Sequence, residues 1–213
     1  CGIAAIGDRL DVMKWRGGVK SVDLEDLHSI FPAENYHTFM AHVRYATKGR
    51  EDKILEDAHP HYVGGRVITY DNHILVRNCD AAIVHNGQMD WEGIFPSEKT
   101  KDVCDTRLAL DYYLQHGEHE LMQKVPGSYV LAIADKKRSE VLVMRDRFGI
   151  KPGCLGEKDG KYCVASENIA FADNGARIVE DLQQGSIYYL SDRGSFRKVG
   201  VMSPEKQHCF FEW

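Results

Sequence analysis

The sequence lacks the features that mark several large classes of protein. No apolar stretch approaches the roughly 20 residues of a membrane-spanning helix. There is no excess of basic charge, because 27 Lys and Arg stand against 32 Asp and Glu, for a formal net charge of −5. Six cysteines without a C-x-x-C pair are too sparse for a disulfide scaffold. We therefore expect a cytoplasmic protein with reduced thiols that binds neither membrane nor nucleic acid.

Linkers rich in Gly, Ser or Pro are also absent, as are internal repeats and low-complexity tracts. The 213 residues are enough to bury one hydrophobic core, so we predict a single domain over residues 1–213. Short apolar or alternating runs are typical of strands. They lie at Gly2–Ile6, Phe39–Tyr45, Arg66–Tyr70, His73–Arg77, Ala81–His85, Ser128–Ala134, Glu140–Arg145, Gly153–Gly156, Lys161–Ala165, Ser186–Leu190 and Phe196–Val201.

Turn and helix patterns separate these runs. Asp71-Asn72, Asp159-Gly160 and Asp192-Arg193-Gly194 predict antiparallel hairpins. Asp23 can cap a helix to about residue 30, and a longer helix is predicted over about 102–115. A second helix, over about 118–124, would follow it across Gly117. Strands, then helices, then more strands predict an α+β domain with antiparallel sheets and helices on the outside.

The first residue is a cysteine, so we expect a leading methionine or a longer leader to have been removed. Cys1 then carries a thiol and a free α-amine on one carbon, with reference pKa values of about 8.5 and 7.7–8.0. A neutral amine can accept the thiol proton and later donate it to a leaving group, so no histidine is needed. The alternative is a frayed end without a role, but the apolar strand that follows at once weighs against it.

Three other clusters could serve such a nucleophile. Arg44 follows an apolar run, and its guanidinium suits a carboxylate, although a surface salt bridge is the commoner role for an arginine. Asn86-Gly87 offers a side-chain amide and a backbone N–H for an oxyanion, although Asn-Gly is also the strongest short signal for a hairpin turn. Asp105 could hold an ammonium group, although an acid at a helix start is usually a cap. Together they describe a pocket for a small zwitterion with a side-chain amide, and glutamine is the obvious substrate.

Seven short motifs occur in a fixed order along the chain. They are C-G-I at 1–3, H-V-R-Y-A-T-K-G at 42–49, His59-Pro60, H-N-G at 85–87, C-D-T at 104–106, R-D-R-F-G-I-K-P at 145–152 and A-S-E at 165–167. The ordered set resembles the class II glutamine amidotransferase domain, an N-terminal nucleophile hydrolase with a four-layer αββα sandwich. The tail at 208–213 is similar to the end of the glutaminase domain of amidophosphoribosyltransferases, whereas the motif at 145–152 looks at least as much like asparagine synthetases.

The resemblance implies a role for each matching residue. Cys1 would be the nucleophile, with its α-amine as the base, and Asn86 and Gly87 would form the oxyanion hole. The glutamine carboxylate would bind Arg44 in a pocket that is also lined by Tyr45 and Thr47, and Asp105 would hold the glutamine α-amino group. A γ-glutamyl thioester would form, ammonia would leave, and water would release glutamate. No metal and no cofactor are implied in this half.

The resemblance also implies an ammonia-accepting synthase domain or separate subunit, since the sequence has no phosphate-binding loop; a homo-oligomer is possible. One departure is notable: family members usually have an H-R-G-x-D-x-x-G segment after the nucleophile, and the segment at 15–18 is a poor match for it. A helix and a strand of the sandwich would then be missing or remodelled.

Three alternatives remain open at this stage. The chain could be a different N-terminal nucleophile amidase, or a glutamine-binding regulatory module without turnover. It could also be a glutaminase domain that serves another acceptor, such as an asparagine synthetase or a glutamate synthase. A metal site at His59-Pro60-His61 or His116-x-x-His119 is weaker, because neither pair has Cys or acidic companions at ligand spacing.

Overall fold

The structure is a computed structural model that describes residues 1–43, 54–96, 100, 103–205, 207 and 209. Its strands are β1 Gly2–Gly7, β2 Leu10–Trp15, β3 Tyr36–His42, β4 His61–Thr69, β5 His73–Met89, β6 Gly127–Asp135, β7 Glu140–Arg145, β8 Cys154–Lys158, β9 Lys161–Ala165, β10 Arg177–Asp181, β11 Ser186–Ser191 and β12 Ser195–Gly200. Its helices are α1 Leu24–Ile30, α2 Ile54–Asp57, α3 Asp105–Lys124 and α4 Ile169–Ala172, with a 3₁₀ turn at Val19–Ser21.

The chain divides into two compact units, with boundaries inside β5, inside β6 and directly before β7. The first unit comprises Cys1–Val84 with Ile133–Ser139, and the second comprises His85–Ala132 with Glu140–Trp213. The single domain predicted over residues 1–213 stays a prediction.

The first unit contains an antiparallel sheet in the order β5-β2-β1-β3, and β4 also pairs with β5. Strand alternation places Cys1, Ile3 and Ala5 on one face, since side chains point to opposite sides in turn. That face packs with Met13 and Trp15 of β2 in a core cluster that α1 helps to cover through Leu27 and Ile30. The nucleophile candidate therefore lies at the start of a well-packed strand.

The second unit contains the strand order β12-β11-β7-β6 and a small antiparallel sheet in the order β10-β8-β9. A core cluster joins the two sheets within this unit through Val130, Val143, Leu155, Leu182 and Tyr188. The end of β5 and the helix α3, which carry the other described site residues, also belong to this unit.

Strand prediction was wrong in three places, each for a physical reason. Strand β2 was not predicted, because the buried Asp11 and Lys14 interrupt its apolar pattern. Strand β10 was missed because all five of its residues are partly exposed or exposed. The runs at 73–77 and 81–85 form one strand, β5, which continues through Asn78 at a φ of 61°.

The helix and turn signals were more accurate. Asp23 is the N-cap of α1, and its side chain accepts a hydrogen bond from the Glu25 backbone N–H at 2.8 Å. The two helices predicted around Gly117 form α3, which kinks at that residue, where φ is 82° and ψ is 174°. All three predicted hairpins are present, since β4–β5, β8–β9 and β11–β12 pair antiparallel.

Mostly antiparallel strands with a few helices confirm the predicted α+β class. A strand and a helix both follow the nucleophile: β2 pairs with β1 as a hairpin, and α1 follows β2. The remodelling of this segment relative to the family stays a prediction. Within the described ranges, no helix is both long and apolar enough to cross a membrane.

Candidate active site

Cys1 is fixed by backbone pairing at the edge of β1 rather than left as a loose end. Its carbonyl oxygen accepts a hydrogen bond from the Trp15 N–H at 3.0 Å, and its α-amine donates to the Trp15 carbonyl oxygen at 3.2 Å. These two bonds continue the β1–β2 ladder by one residue pair. The interpretation of Cys1 as a frayed end is therefore wrong.

The electrostatic environment of Cys1 favours a neutral amine. Partial burial and, secondarily, the nearby Lys14 ammonium lower the pKa of the Cys1 α-amine below its ordinary value. An amine with a lowered pKa is unprotonated over more of the neutral range and can accept a proton from the adjacent thiol. The arrangement can therefore generate a thiolate without a second side chain.

Gly2 is needed at its position by close packing. A Cβ at this residue would lie 2.2 Å from the His59 carbonyl oxygen and 2.8 Å from the Met13 carbonyl oxygen. His59 is buried, and its ring packs in a tilted arrangement against that of His42, with the centroids 4.3 Å apart. His42 pairs with Gly2 across β1 and β3. The backbone at His59 therefore packs against β1 at Gly2, the residue that follows Cys1.

In the second unit, Asn86 and Gly87 lie within β5, so the alternative of a hairpin turn at this pair is wrong. Gly87 has a φ of 139°, and a Cβ there would lie 2.1 Å from the Ser128 carbonyl oxygen. Only glycine fits such a conformation and such close packing. Asn86 is partly exposed and Gly87 is exposed, which leaves this part of β5 accessible from outside.

Asp105 is the first residue of α3 and joins the helix to the end of β5. Its carboxylate accepts hydrogen bonds from the backbone N–H groups of Thr106 at 2.8 Å and Met89 at 3.3 Å. The N-cap residue is Cys104, which makes no side-chain cap. With 31% of its side chain exposed, Asp105 thus supports the helix start and still presents a negative charge to solvent.

His85 contacts the candidate site residue Asp105, and the sequence interpretation assigned it no role although the H-N-G motif contains it. The residue is only 4% exposed, its Nδ1 lies 3.0 Å from Thr106 Oγ1, and the same nitrogen lies 3.9 Å from the Asp105 carboxylate. Burial lowers the pKa of His85; Asp105 opposes this effect and Lys151 adds to it. His85 is therefore neutral near pH 7 and adds no positive charge next to the Asp105 carboxylate.

The structure thus describes two local groups. Cys1 and Lys14 belong to the first unit, whereas Asn86, Gly87 and Asp105 belong to the second. In the second group, Asn86 and Gly87 lie between His85 and Met89, both of which contact Asp105. The three remaining predicted site residues, Arg44, Tyr45 and Thr47, lie outside the described residues.

Comparison with known proteins agrees with these features. A family model described as a glutamine amidotransferase domain matches residues 96–199. The amidophosphoribosyltransferase of Methanothermobacter thermautotrophicus is 27% identical over 182 residues, which cover 82% of this chain and 37% of that protein. The amidophosphoribosyltransferase of Mycobacterium leprae is 28% identical over 186 residues, which cover 83% and 33%.

The fold is shared with a solved structure, the glutamine phosphoribosylpyrophosphate amidotransferase from B. subtilis complexed with ADP and GMP. The TM-score is 0.75 at 21% identity, with 98% of this chain and 44% of that chain covered. This likeness confirms the predicted fold of the N-terminal nucleophile hydrolase type.

Taken together, these matches support the resemblance to a class II glutamine amidotransferase domain that the ordered motifs predict. The relatives named above are amidophosphoribosyltransferases, and the chain spans about a third of their length, at 37% and 33%.

Proposed function

We propose that this chain hydrolyses L-glutamine to L-glutamate and ammonia through a γ-glutamyl thioester on Cys1. The main evidence is the position of the Cys1 α-amine, which is fixed by a hydrogen bond to the Trp15 carbonyl oxygen. Burial also lowers the pKa of this amine. A terminal cysteine with a neutral amine is equipped for acyl transfer without any partner side chain. The family match supports glutamine as the substrate.

The reaction proceeds in two halves. The Cys1 amine takes the thiol proton, and the thiolate attacks the side-chain amide carbon of glutamine. Asn86 and Gly87 donate hydrogen bonds to the oxyanion that forms. The protonated amine gives its proton to the leaving nitrogen, and ammonia departs as the C–N bond breaks. Water then attacks the thioester, which releases glutamate and restores the thiol.

Substrate recognition uses the two charged ends of glutamine. Asp105 binds the α-ammonium group with its partly exposed carboxylate, and neutral His85 adds no competing positive charge. Arg44 binds the α-carboxylate, and Tyr45 and Thr47 line the same pocket. We propose that residues 1–213 act as one glutaminase domain in the cytoplasm, with no metal or cofactor in this reaction.

The ammonia would serve a synthase domain or a partner subunit, and the relatives favour an acceptor of the amidophosphoribosyltransferase kind, in purine biosynthesis. Free ammonia is lost to protonation and to bulk water, which makes direct transfer the useful route.

The test is glutamate release from L-glutamine by the purified chain, compared with Cys1→Ala and Cys1→Ser. We expect turnover in the wild type and its loss in Cys1→Ala. Cys163→Ala is the matched control, because Cys163 is also a free, partly buried thiol. Mass spectrometry of the wild type with an electrophilic glutamine analogue should show one adduct, on Cys1. Equal turnover in the wild type and in Cys1→Ala would refute the proposal. Glutamine binding without any turnover would instead favour a regulatory module.

A further inference from the structure

Asp146 belongs to the motif at 145–152, to which the sequence interpretation assigned no role. The residue directly follows β7 and is only 3% exposed, although it carries a carboxyl group. A carboxylate is almost never fully buried unless other groups hold it, because burial of a charge is costly. The groups that hold Asp146 therefore indicate what it does.

Three backbone N–H groups of the second unit donate hydrogen bonds to the Asp146 carboxylate. Oδ1 accepts from Phe148 at 2.8 Å and from Gly149 at 3.1 Å, so it holds the segment that follows the residue. Oδ2 accepts from Tyr129 of β6 at 2.8 Å. One carboxylate oxygen thus fixes a local segment, and the other fixes a strand residue that lies 17 positions away in sequence.

Asp146 binds Tyr129 through a second hydrogen bond as well. The Asp146 backbone N–H donates to the Tyr129 carbonyl oxygen at 3.1 Å. Tyr129 is 1% exposed, and its ring meets the His85 ring edge-on, with the centroids 6.3 Å apart. Asp146 therefore holds the peptide groups on both sides of the Tyr129 Cα.

The first of these two peptide groups is also the one against which Gly87 packs. A Cβ at Gly87 would lie 2.1 Å from the Ser128 carbonyl oxygen and 2.7 Å from the Tyr129 Cα. The Ser128 carbonyl and the Tyr129 N–H belong to one planar trans peptide unit, so they point in opposite directions. This peptide unit therefore faces Gly87 with its oxygen and Asp146 with its N–H.

We propose that Asp146 is a positioning residue for the oxyanion hole: its carboxylate fixes the Ser128–Tyr129 peptide unit, and this unit fixes the backbone of Gly87. The inference rests on the proposed function, in which Asn86 and Gly87 donate to the oxyanion. Asp146 acts through the backbone of β6 and does not touch glutamine. An oxyanion donor stabilises the transition state more than it stabilises bound substrate, so its displacement lowers kcat rather than binding.

The experiment measures kcat and KM for glutamine hydrolysis by the full chain and by its Asp146→Asn variant. An Asn side chain has one acceptor oxygen, and the orientation that keeps the bonds from Phe148 and Gly149 turns the NH2 group towards the Tyr129 N–H. We expect kcat to fall about 10- to 100-fold, which is below the roughly 100- to 1000-fold loss on removal of an oxyanion donor. KM should stay within about twofold, as is typical when an interaction is made only in the transition state.

Glu118→Gln is the matched control, because Glu118 is another buried carboxylate of the second unit. It accepts a hydrogen bond from the Tyr189 hydroxyl of β11 at 3.2 Å. Urea unfolding of both variants compares their losses of stability, and we expect kcat of Glu118→Gln to stay near the wild-type value. An equal fall in kcat in the two variants would reveal a general effect of losing a buried charge and would contradict the inference.

Alkylation of Cys1 by iodoacetamide, followed by mass spectrometry, is a second measurement that a merely structural role would affect differently. This displacement uses the thiolate but forms no oxyanion, so we expect Asp146→Asn to react at the wild-type rate. A change in the alkylation rate that matches the fall in kcat would mean that the whole site is disturbed, and the inference would be wrong.

An unchanged kcat in Asp146→Asn, or a rise in KM as large as the fall in kcat, would also overturn the inference. If Asp146→Asn does not fold, Asp146→Glu takes its place. Glu keeps the charge, but its extra methylene group displaces the carboxylate from Tyr129, and the same comparison of kcat with KM decides. An inactive wild type would refute the proposed function and this inference with it, whereas the results above, with an active wild type, refute the inference alone.

Discussion

At the scale of single residues, two of the proposed site residues also support the structure around them. Asp105 accepts backbone hydrogen bonds from Thr106 and Met89 while it presents a charge. Gly87 allows β5 to approach Ser128 and offers a backbone N–H. A variant at Asp105 or Gly87 must therefore be compared with a control variant that changes the structure alone.

Replacement of Asp105 by Asn should raise KM for glutamine with little effect on stability. The Asn oxygen can still accept the backbone hydrogen bonds, but the charge for the substrate ammonium is lost. A hydrogen bond to a charged group contributes about 1.5–3 kcal/mol, so we expect KM to rise about 10- to 100-fold. Steady-state kinetics check this, with Asp111→Asn on the same helix as the control, because Asp111 pairs only with Arg107 among its described ion-pair partners. An unchanged KM in Asp105→Asn removes Asp105 from substrate binding.

Replacement of Gly87 by Ala should cost both stability and activity. Gly93→Ala is the matched control: its φ of 75° is also positive, but a Cβ there would have no heavy atom within 4 Å. The control should lose about 1–2 kcal/mol of unfolding free energy from backbone strain alone. Gly87→Ala should lose more, and glutaminase activity with it, because the Ser128 backbone must also move. Urea unfolding followed by activity assays tests this, and equal losses in the two variants would argue against the tight packing at Gly87.

At the scale of elements, the first unit is joined by one buried carboxylate on the strand that sequence patterns missed. Asp11 of β2 is fully buried and accepts hydrogen bonds from the Tyr36 hydroxyl and an Arg77 Nη at 2.6 Å each, and from the Asn78 N–H at 2.7 Å. Tyr36 lies on β3, and Arg77 and Asn78 lie on β5. The Asp11 side chain of β2 therefore links three strands. Burial alone would raise the pKa of Asp11, but the hydrogen bonds from Tyr36 and Arg77 outweigh it, and the pKa is lowered.

Asp11→Asn should therefore destabilise the protein at neutral pH by about 1.5–3 kcal/mol, the usual contribution of a hydrogen bond to a charged group. A carboxyl with a lowered folded-state pKa stabilises the fold above its unfolded pKa of about 3.9, and this stability is lost as the pH falls through the folded pKa. Urea unfolding at pH 7 and at low pH should show the difference between wild type and variant shrinking with acidity. Asp26→Asn, at an exposed position on α1, is the control. A constant difference at all pH values would contradict the role of the ionised carboxylate.

At the scale of the whole molecule, substrate binding and folding stability are linked. A ligand that binds only the folded state stabilises it by about 2.7 kcal/mol at one hundred times its Kd. In Cys1→Ala, which cannot consume the substrate, L-glutamine should raise the melting temperature in a concentration-dependent way. D-glutamine should have a much smaller effect, because its ammonium and carboxylate groups are exchanged relative to the side chain. Equal shifts with both enantiomers would show that binding is nonspecific.

Much of the fold and part of the site could be predicted from local patterns. The Asp23 cap, the break at Gly117 and the three hairpins depend on neighbours a few residues away, and all are present. Strand β2 could not be predicted, because Asp11 and Lys14 are held in the interior by Arg77 and by the Glu56 carbonyl, which lie tens of residues away in sequence. For the same reason His85 was given no role, since Thr106 and Asp105 approach it only when α3 packs near β5.

The sequence by itself predicted the chemistry that we propose for this protein, because an ordered set of short motifs and a cysteine at position 1 point to one reaction. The tertiary structure alone decided how that chemistry is supported. It placed Asn86-Gly87 within a strand rather than at a turn, and it buried a lysine beside the Cys1 amine. The physical reason is that burial, and the pKa changes it causes, arise from packing between distant segments, which no local pattern encodes.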